Sequence, residues 1–219
     1  MNLNPVLDKE LAFYLLEKGF VTLVTSENGK SYYTWTSGIK SPIYCDNRKT
    51  LSHPKTRSHI KKLFKKMVTD LFPEVEVIAG VATAGVPHGA ILADFMDLPF
   101  VYVRDKAKAH GLENLIEGTL EKGQKIVVIE DLLSTGGSSL KAVDALRAAG
   151  GNVLGLGAIF TYAFQKADDA FEKANCPYFT LSDYPTLLGV AVEKGFVQPN
   201  QEQILLNWYK KPEEWAGLN

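Results

Sequence analysis

The chain has 219 residues, of which 46% are apolar and 22% charged, and its formal net charge is −1. That length suffices for one large α/β domain with a substantial core, and the near-zero charge supplies no general field for nucleic acid or an anionic membrane. No run of about 18 apolar residues is present, so no membrane-spanning helix is expected.

The first predicted element is a helix from Pro5 to Lys18, with apolar Leu7, Leu11, Tyr14 and Leu15 on one face and a stop at Gly19. The β-like runs Val21–Thr25 and Ser31–Trp35 flank Asn28-Gly29, a hairpin signal, and a further strand is predicted over Pro42–Cys45. Pro54–Leu71 reads as a helix around which Lys55, Arg57, Lys61, Lys62, Lys65 and Lys66 are spread, a spacing that favours a solvated face over a binding patch. The rhythm then alternates. Strands are expected at Val75–Ala79, Phe100–Val103, Lys125–Ile129, Asn152–Phe160 and Tyr178–Leu181. Helices are expected at Gly85–Met96, Ser138–Ala149, Ala167–Ala174 and Tyr184–Lys194. Buried strands alternating with helices predict an α/β fold built on an open, mainly parallel sheet with helices on both faces. The first 50 residues and the tail around Gln201–Trp208 would form a small α+β subdomain beside that core, within a single domain of residues 1–219. Cys45 and Cys176 are far apart and lack a C-x-x-C partner, so both read as free thiols in a reducing compartment. Met1–Glu10 carries Asp8, Lys9 and Glu10 and no apolar core, so no signal peptide is expected and the expected setting is the cytosol.

The most informative segment is Lys125–Leu140, KIVVIEDLLSTGGSSL. An apolar run ends in Glu130-Asp131, and Ser134-Thr135-Gly136-Gly137-Ser138 follows at a helix start. In open α/β sheets, ligands bind outside the carboxyl ends of strands. Backbone N–H groups of a glycine turn at a helix start cradle an anion, helped by the helix dipole. Gly136 and Gly137 would let a phosphate approach the backbone, and Ser134, Thr135 and Ser138 would add hydroxyl donors. Two carboxylates repel a phosphate but suit the hydroxyls of a sugar attached to it. The competing reading is an ordinary capped strand–helix turn. The whole string, however, resembles the ribose-5-phosphate signature of type I phosphoribosyltransferases. No G-x-x-x-x-G-K-[ST] or G-x-G-x-x-G motif competes with it.

Gly80-Val81-Ala82-Thr83-Ala84-Gly85 also follows a strand and opens a helix. Its small residues serve either close helix–sheet packing or the approach of a second anion. Through the resemblance, Ala82, Thr83, Ala84 and Gly85 correspond to the family's diphosphate loop, with Ala84 where many orotate enzymes carry Lys. Arg104-Asp105-Lys106-Ala107-Lys108-Ala109-His110-Gly111 lacks an apolar period and is expected as a mobile surface loop. Its R-x-x-x-K-x-H-G order resembles the catalytic loop of orotate phosphoribosyltransferases, matching at Arg104, Lys108, His110 and Gly111. Asp105 stands where Lys is common, and Lys106 would supply that charge. Ser37-Gly38-Ile39-Lys40-Ser41-Pro42 resembles that family's S-G-x-x-S-P segment near the pyrimidine, which brings in Lys40 and Tyr44. Thr36 stands where many members carry Lys, and no Arg lies near Thr161-Tyr162.

The resemblance implies the type I phosphoribosyltransferase fold and transfer of phosphoribosyl from 5-phosphoribosyl 1-diphosphate to orotate, a glycosyl transfer of pyrimidine biosynthesis. It implies Glu130 and Asp131 on the ribose hydroxyls. Lys108, Arg104, His110 and Asp131 would be the catalytic group, and Mg²⁺ would be held mainly by substrate oxygens. It also implies a homodimer in which the loop closes over the partner's site, with no nucleic-acid or membrane partner. Two other readings share the ribose loop: a phosphoribosyltransferase for another base, and a sensor of phosphoribosyl diphosphate. The Lys108/His110 loop and the S-G-x-x-S-P segment argue against the first. The absence of a DNA-binding module and of a basic face argues against the second.

Overall fold

The computed structural model describes residues 2–3, 8–24, 32–35, 38–105, 115–215 and 217. Helix α1 (Lys9–Glu17) begins where the Asp8 carboxylate accepts a hydrogen bond from the Leu11 N–H at 2.6 Å, and the chain leaves it through Gly19 at φ +65°. Strands β1 (Val21–Leu23), β2 (Tyr33–Thr34), β3 (Lys40–Ser41) and β4 (Ile43–Cys45) follow, then a 3-10 turn over Asn47–Ser52. Helix α2 (Pro54–Leu71) has the predicted bounds. Proline at its start needs no N–H, and Ile60, Phe64 and Val68 recur along its buried face.

The rest of the chain alternates as β5 (Val77–Val81), α3 (Gly85–Met96), β6 (Phe100–Val103), β7 (Ile116–Glu117) and β8 (Lys125–Leu133). It continues with α4 (Gly137–Ala148), β9 (Asn152–Thr161), α5 (Gln165–Lys173), β10 (Tyr178–Asp183), α6 (Tyr184–Glu193) and α7 (Pro199–Lys210). Six of these strands form one sheet in the order β10-β9-β8-β5-β6-β7, parallel except for β7, which pairs antiparallel with β6. The chain runs outward from β5 to β7 on one side and from β8 to β10 on the other. The order therefore reverses between β5 and β8, and the carboxyl ends of those two strands border the crevice where such sheets bind ligands.

Side-chain alternation divides the core between the two faces of the sheet. Val77, Ala79, Val81, Ile126 and Val128 pack with Val143 and Leu146 of α4 and Phe171 of α5. Ile78, Val127, Ile129, Ile159 and Phe179 pack on the other face with residues of α1, α2, α3, α6 and α7. All five residues of β5 are buried, as a strand covered on both sides requires. The expected open sheet with helices on both faces is thus borne out. Among the described residues, no helix is long and apolar enough to cross a membrane.

The N-terminal pairing differs from the expected hairpin. β1 pairs with β4, with Val21 opposite Cys45 and Leu23 opposite Ile43, while β2 pairs with β3. Val21, Leu23, Ile43 and Cys45 are all buried, so burial of a shared apolar face selects this partner over the one nearest in sequence. Residues 25–31, which include Asn28-Gly29, lie outside the described residues. A second difference is β8, which continues through Glu130-Asp131 to Leu133 instead of ending before the acidic pair. Leu132 and Leu133 extend its ladder opposite Phe160 and Thr161 of β9. The edge strand β7 falls in a stretch expected to lack regular structure; it is two residues long.

Aromatic side chains join the N-terminal ribbon to the carboxyl end of the sheet and to α7. The Trp35 ring lies 4.5 Å from Tyr162 and 5.8 Å from the fully buried Trp208, whose indole N–H donates to the Lys40 carbonyl at 3.1 Å. Tyr162 is packed into this cluster.

Candidate active site

The acidic pair lies at the switch point, and its two members differ. Glu130 is buried. One of its oxygens accepts from the Asp131 N–H at 2.9 Å and the other from the Ser139 hydroxyl at 3.1 Å. Burial raises its pKa well above the ordinary carboxylate range, and the neighbouring Asp131 charge adds to the rise. Asp131 is only half-buried. Burial raises its pKa as well, opposed by hydrogen bonds and by the positive charge of Arg48. The Asp131 carbonyl accepts from the Asn47 side chain at 2.7 Å, which ties the 3-10 turn to β8.

Ser134 and Thr135 follow β8 and line two adjoining spaces. One, of about 490 Å³, is bounded by Ala163–Lys166 and Tyr209–Glu214. The other, of about 730 Å³, is bounded by Gly38, Lys40, Lys166 and Trp215. Gly136, at φ +78°, precedes α4. A Cβ there would lie 2.7 Å from the Phe171 ring, so this glycine serves the turn and its packing on α5. Gly137 begins α4, and a Cβ on it would meet nothing within 4 Å. The open approach expected at both glycines therefore exists at Gly137. Ser138, in the first turn of α4, borders a space of about 660 Å³ shared with Val81, Arg104 and Lys141.

On the neighbouring strand, Ala82, Thr83 and Ala84 line a groove of about 740 Å³ together with Arg48, Tyr102 and Arg104. The peptide between Ala82 and Thr83 is cis. Gly85 has a packing role: a Cβ would overlap the Ile129 carbonyl oxygen and lie 3.2 Å from the Glu130 Cα. Its absence lets the start of α3 lie directly against β8, and this brings the two loops together. Arg104 follows β6 and bonds Glu117 of β7 at 3.2 Å. Lys40 sits 4.5 Å from the Tyr32 ring centre, and the exposed Tyr44 packs on Tyr33 at 5.5 Å. Lys106, Lys108, His110 and Gly111 lie outside the described residues, as do Thr36 and Ser37.

The structure thus brings Glu130, Asp131, Ser134–Ser138, Ala82–Ala84, Lys40 and Arg104 around the carboxyl ends of β5, β6 and β8. Sequence reading missed Arg48 in the groove beside Ala82–Ala84, and Lys166 beside Ser134. For Arg48 a signal existed: Asp46-Asn47-Arg48 follows directly on a predicted strand. Lys166 carried none, because α5 reaches the loop only through the tertiary fold.

Residues 48–191 match the model of the phosphoribosyl transferase domain. The chain is 52% identical over 210 residues to orotate phosphoribosyltransferase of Listeria innocua, covering 96% of this chain and 99% of that relative. The crystal structure of orotate phosphoribosyltransferase from Aeropyrum pernix superposes with a TM-score of 0.74 at 26% identity, covering 86% of this chain and 99% of that one. The Mycobacterium tuberculosis enzyme in complex with 5-phospho-α-D-ribosyl 1-diphosphate gives a TM-score of 0.62 at 26% identity, covering 82% and 97%. The expected resemblance is borne out over nearly the whole length, and the chain belongs to the orotate phosphoribosyltransferases of the phosphoribosyl transferase domain family.

Proposed function

We propose that this chain transfers the 5-phosphoribosyl group of 5-phosphoribosyl 1-diphosphate to orotate, releasing diphosphate and forming orotidine 5′-phosphate, in the cytosol and as a homodimer with shared sites. The observation that carries the reading is the convergence of three features at one switch point. These are a half-buried carboxylate (Asp131), an open helix start at Gly137, and a second loop of small residues at Ala82–Ala84. A substrate with a 5-phosphate, two ribose hydroxyls and a diphosphate presents a group to each. The Mycobacterium tuberculosis relative was solved with that sugar diphosphate bound.

In this reading the Ser134–Ser138 loop and the N-terminus of α4 hold the 5-phosphate through backbone N–H groups and hydroxyls. Asp131 accepts hydrogen bonds from the ribose hydroxyls. Glu130, fixed by Ser139 and the Asp131 N–H, orients this part of β8 and completes the acidic pair. As the bond from ribose C1 to the diphosphate oxygen breaks, positive charge grows on the ring, and the bond from C1 to the orotate nitrogen forms. The acidic pair stabilises that charge. Arg104, joined by Lys106, Lys108 and His110 of the following loop, neutralises the charge growing on the leaving diphosphate. Loop closure keeps water from the activated sugar. Lys40, beside Ser134 and Thr135, supplies a cation for the orotate carboxylate, and the family resemblance assigns Tyr44 to the pyrimidine.

Among the described residues, no three His, Cys, Asp or Glu side chains gather into a metal cage. Adjacent carboxylates with no further donor fit Mg²⁺ held mainly by diphosphate and ribose oxygens, with Asp131 as the protein's contribution. When bound, the ion would offset the diphosphate charge, with Asp131 as the residue that would help hold it. A panel of bases tests the assignment. With 5-phosphoribosyl 1-diphosphate and Mg²⁺, diphosphate release should depend on orotate. Release with adenine or hypoxanthine in its place would move the chain to another base.

A further inference from the structure

We propose that Arg48 is a substrate-binding residue of the diphosphate subsite, closing the groove opposite Ala82–Ala84 and presenting its guanidinium edge to the leaving group. This rests on the phosphoribosyl-transfer reading and adds a residue to it. The groove of about 740 Å³ at the end of β5 is lined by the backbone and small side chains of Ala82, Thr83 and Ala84, none of which is cationic. A diphosphate in this groove must find its positive partners elsewhere, and among the described lining residues these are Arg48 and Arg104. Both are already ion-paired, Arg104 with Glu117 at 3.2 Å through a terminal nitrogen and Arg48 with Asp46 at 2.7 Å through Nε, so part of each charge is offset.

Arg48 is set up differently. Its Nε donates to Asp46 at 2.7 Å, and among the described residues neither terminal nitrogen has an acceptor. The Asp46 side chain is only 16% exposed while that of Arg48 is 61% exposed. An anchored carboxylate thus fixes the inner edge of the guanidinium and leaves the outer edge in the groove. A planar fork held in this way is suited to two parallel hydrogen bonds with phosphate oxygens.

The turn carrying it is fixed as well. Asn47 donates to the Asp131 carbonyl at 2.7 Å and accepts from the Cys45 thiol at 3.3 Å, while the Thr50 hydroxyl donates to the Asn47 carbonyl at 2.6 Å. Arg48 therefore sits one residue from an anchor on the very residue assigned to the ribose hydroxyls. In the proposed reading, a diphosphate attached to ribose C1 would begin beside Asp131 and extend into the groove that Arg48 lines with Ala82–Ala84.

The test is calorimetric titration of inorganic diphosphate with Mg²⁺ into the full chain, comparing wild type with Arg48→Gln and Arg48→Lys. Arg48→Gln should bind diphosphate about 10-fold or more weakly, as loss of charge-assisted hydrogen bonds dictates. Arg48→Lys should fall between the two, because it keeps the charge and loses the fork. Ribose 5-phosphate affinity and the KM for orotate should stay within about 2-fold of wild type, while the KM for the sugar diphosphate rises with the diphosphate dissociation constant. Melting temperatures should be unchanged, since the side chain is exposed. Wild-type diphosphate affinity in Arg48→Gln overturns the proposal, as does an equal loss for ribose 5-phosphate. A wild-type chain that binds diphosphate but transfers nothing to orotate would instead remove the reaction assignment and leave the Arg48 measurement standing.

Discussion

Replacing each of the two adjacent glycines of the loop proposed to hold the 5-phosphate separates the architecture of the turn from its function. Gly136 has φ +78°, and a Cβ there would lie 2.7 Å from Cε2 of Phe171, which is fully buried. Gly136→Ala incurs about 1–2 kcal/mol for the left-handed backbone and roughly 1–3 kcal/mol for crowding a packed ring. For a chain of this size, 1 kcal/mol corresponds to about 2–4 °C, so the melting temperature should fall by roughly 4–20 °C. Gly137 has no positive φ, and its Cβ would meet nothing within 4 Å. Gly137→Ala should match wild type or gain up to about 1 kcal/mol from reduced freedom of the unfolded chain. Gly137→Val should keep the fold but place branches where the anion meets the helix start, weakening ribose 5-phosphate binding by about 10-fold or more. Thermal melting and calorimetric titration with ribose 5-phosphate read the two effects independently. A Gly136→Ala protein that melts with wild type would refute the packing argument. Undiminished ribose 5-phosphate affinity in Gly137→Val would remove the phosphate from this loop.

Three more predictions test other parts of the account. Asp131→Asn should keep its fold, because burial already raises this carboxyl's pKa and the Asn47 bond is to the main-chain carbonyl. Its kcat/KM for the sugar diphosphate should fall by about 10-fold or more, and steady-state kinetics at saturating orotate checks this. His88 is buried with no hydrogen-bond partner at Nε2 among the described residues, and burial lowers its pKa to about 4. The unfolded chain protonates first as pH falls from 6.5 to about 4, so His88 should remove up to about 3 kcal/mol of stability across that window. The buried Glu130, with its raised pKa, acts in the opposite sense. The informative quantity is therefore the difference in urea unfolding between wild type and His88→Gln, and an equal pH slope in both proteins would contradict the assignment. Finally, a loop that reaches across a dimer requires Lys108→Ala and Asp131→Asn homodimers, each nearly inactive, to regain activity on subunit exchange. About half of wild-type activity per heterodimer is expected, and a confirmed heterodimer without activity would place the loop in its own subunit's site.

Local signals reached far where one element's own residues decide its form. The bounds of α2, α3 and β6 were legible from Pro54 and the Ile60/Phe64/Val68 period, from Gly85, and from the run Phe100–Val103. The glycine turn that opens α4 was legible because such a turn at a helix start is a local structure. Pairing was not. Asn28-Gly29 favours a nearby partner, yet Val21 and Leu23 bury their faces against Cys45 and Ile43, a choice made by packing. The extension of β8 past Glu130 depends on its ladder with β9, which a sequence window does not contain. The different roles of Gly85, Gly136 and Gly137 depend on what each faces: the Ile129 carbonyl, the Phe171 ring and open space. Composition marks all three only as small.

The account's central claim is that the site at the ends of β5 and β8 couples the sugar diphosphate to orotate. It is tested most directly by following orotate absorbance and diphosphate release together in one reaction with Mg²⁺. The account predicts a loss of orotate that requires 5-phosphoribosyl 1-diphosphate, matched one for one by released diphosphate, and slowed about 10-fold or more in Asp131→Asn. Diphosphate released with no loss of orotate, or orotate consumed at the same rate in Asp131→Asn, would contradict it.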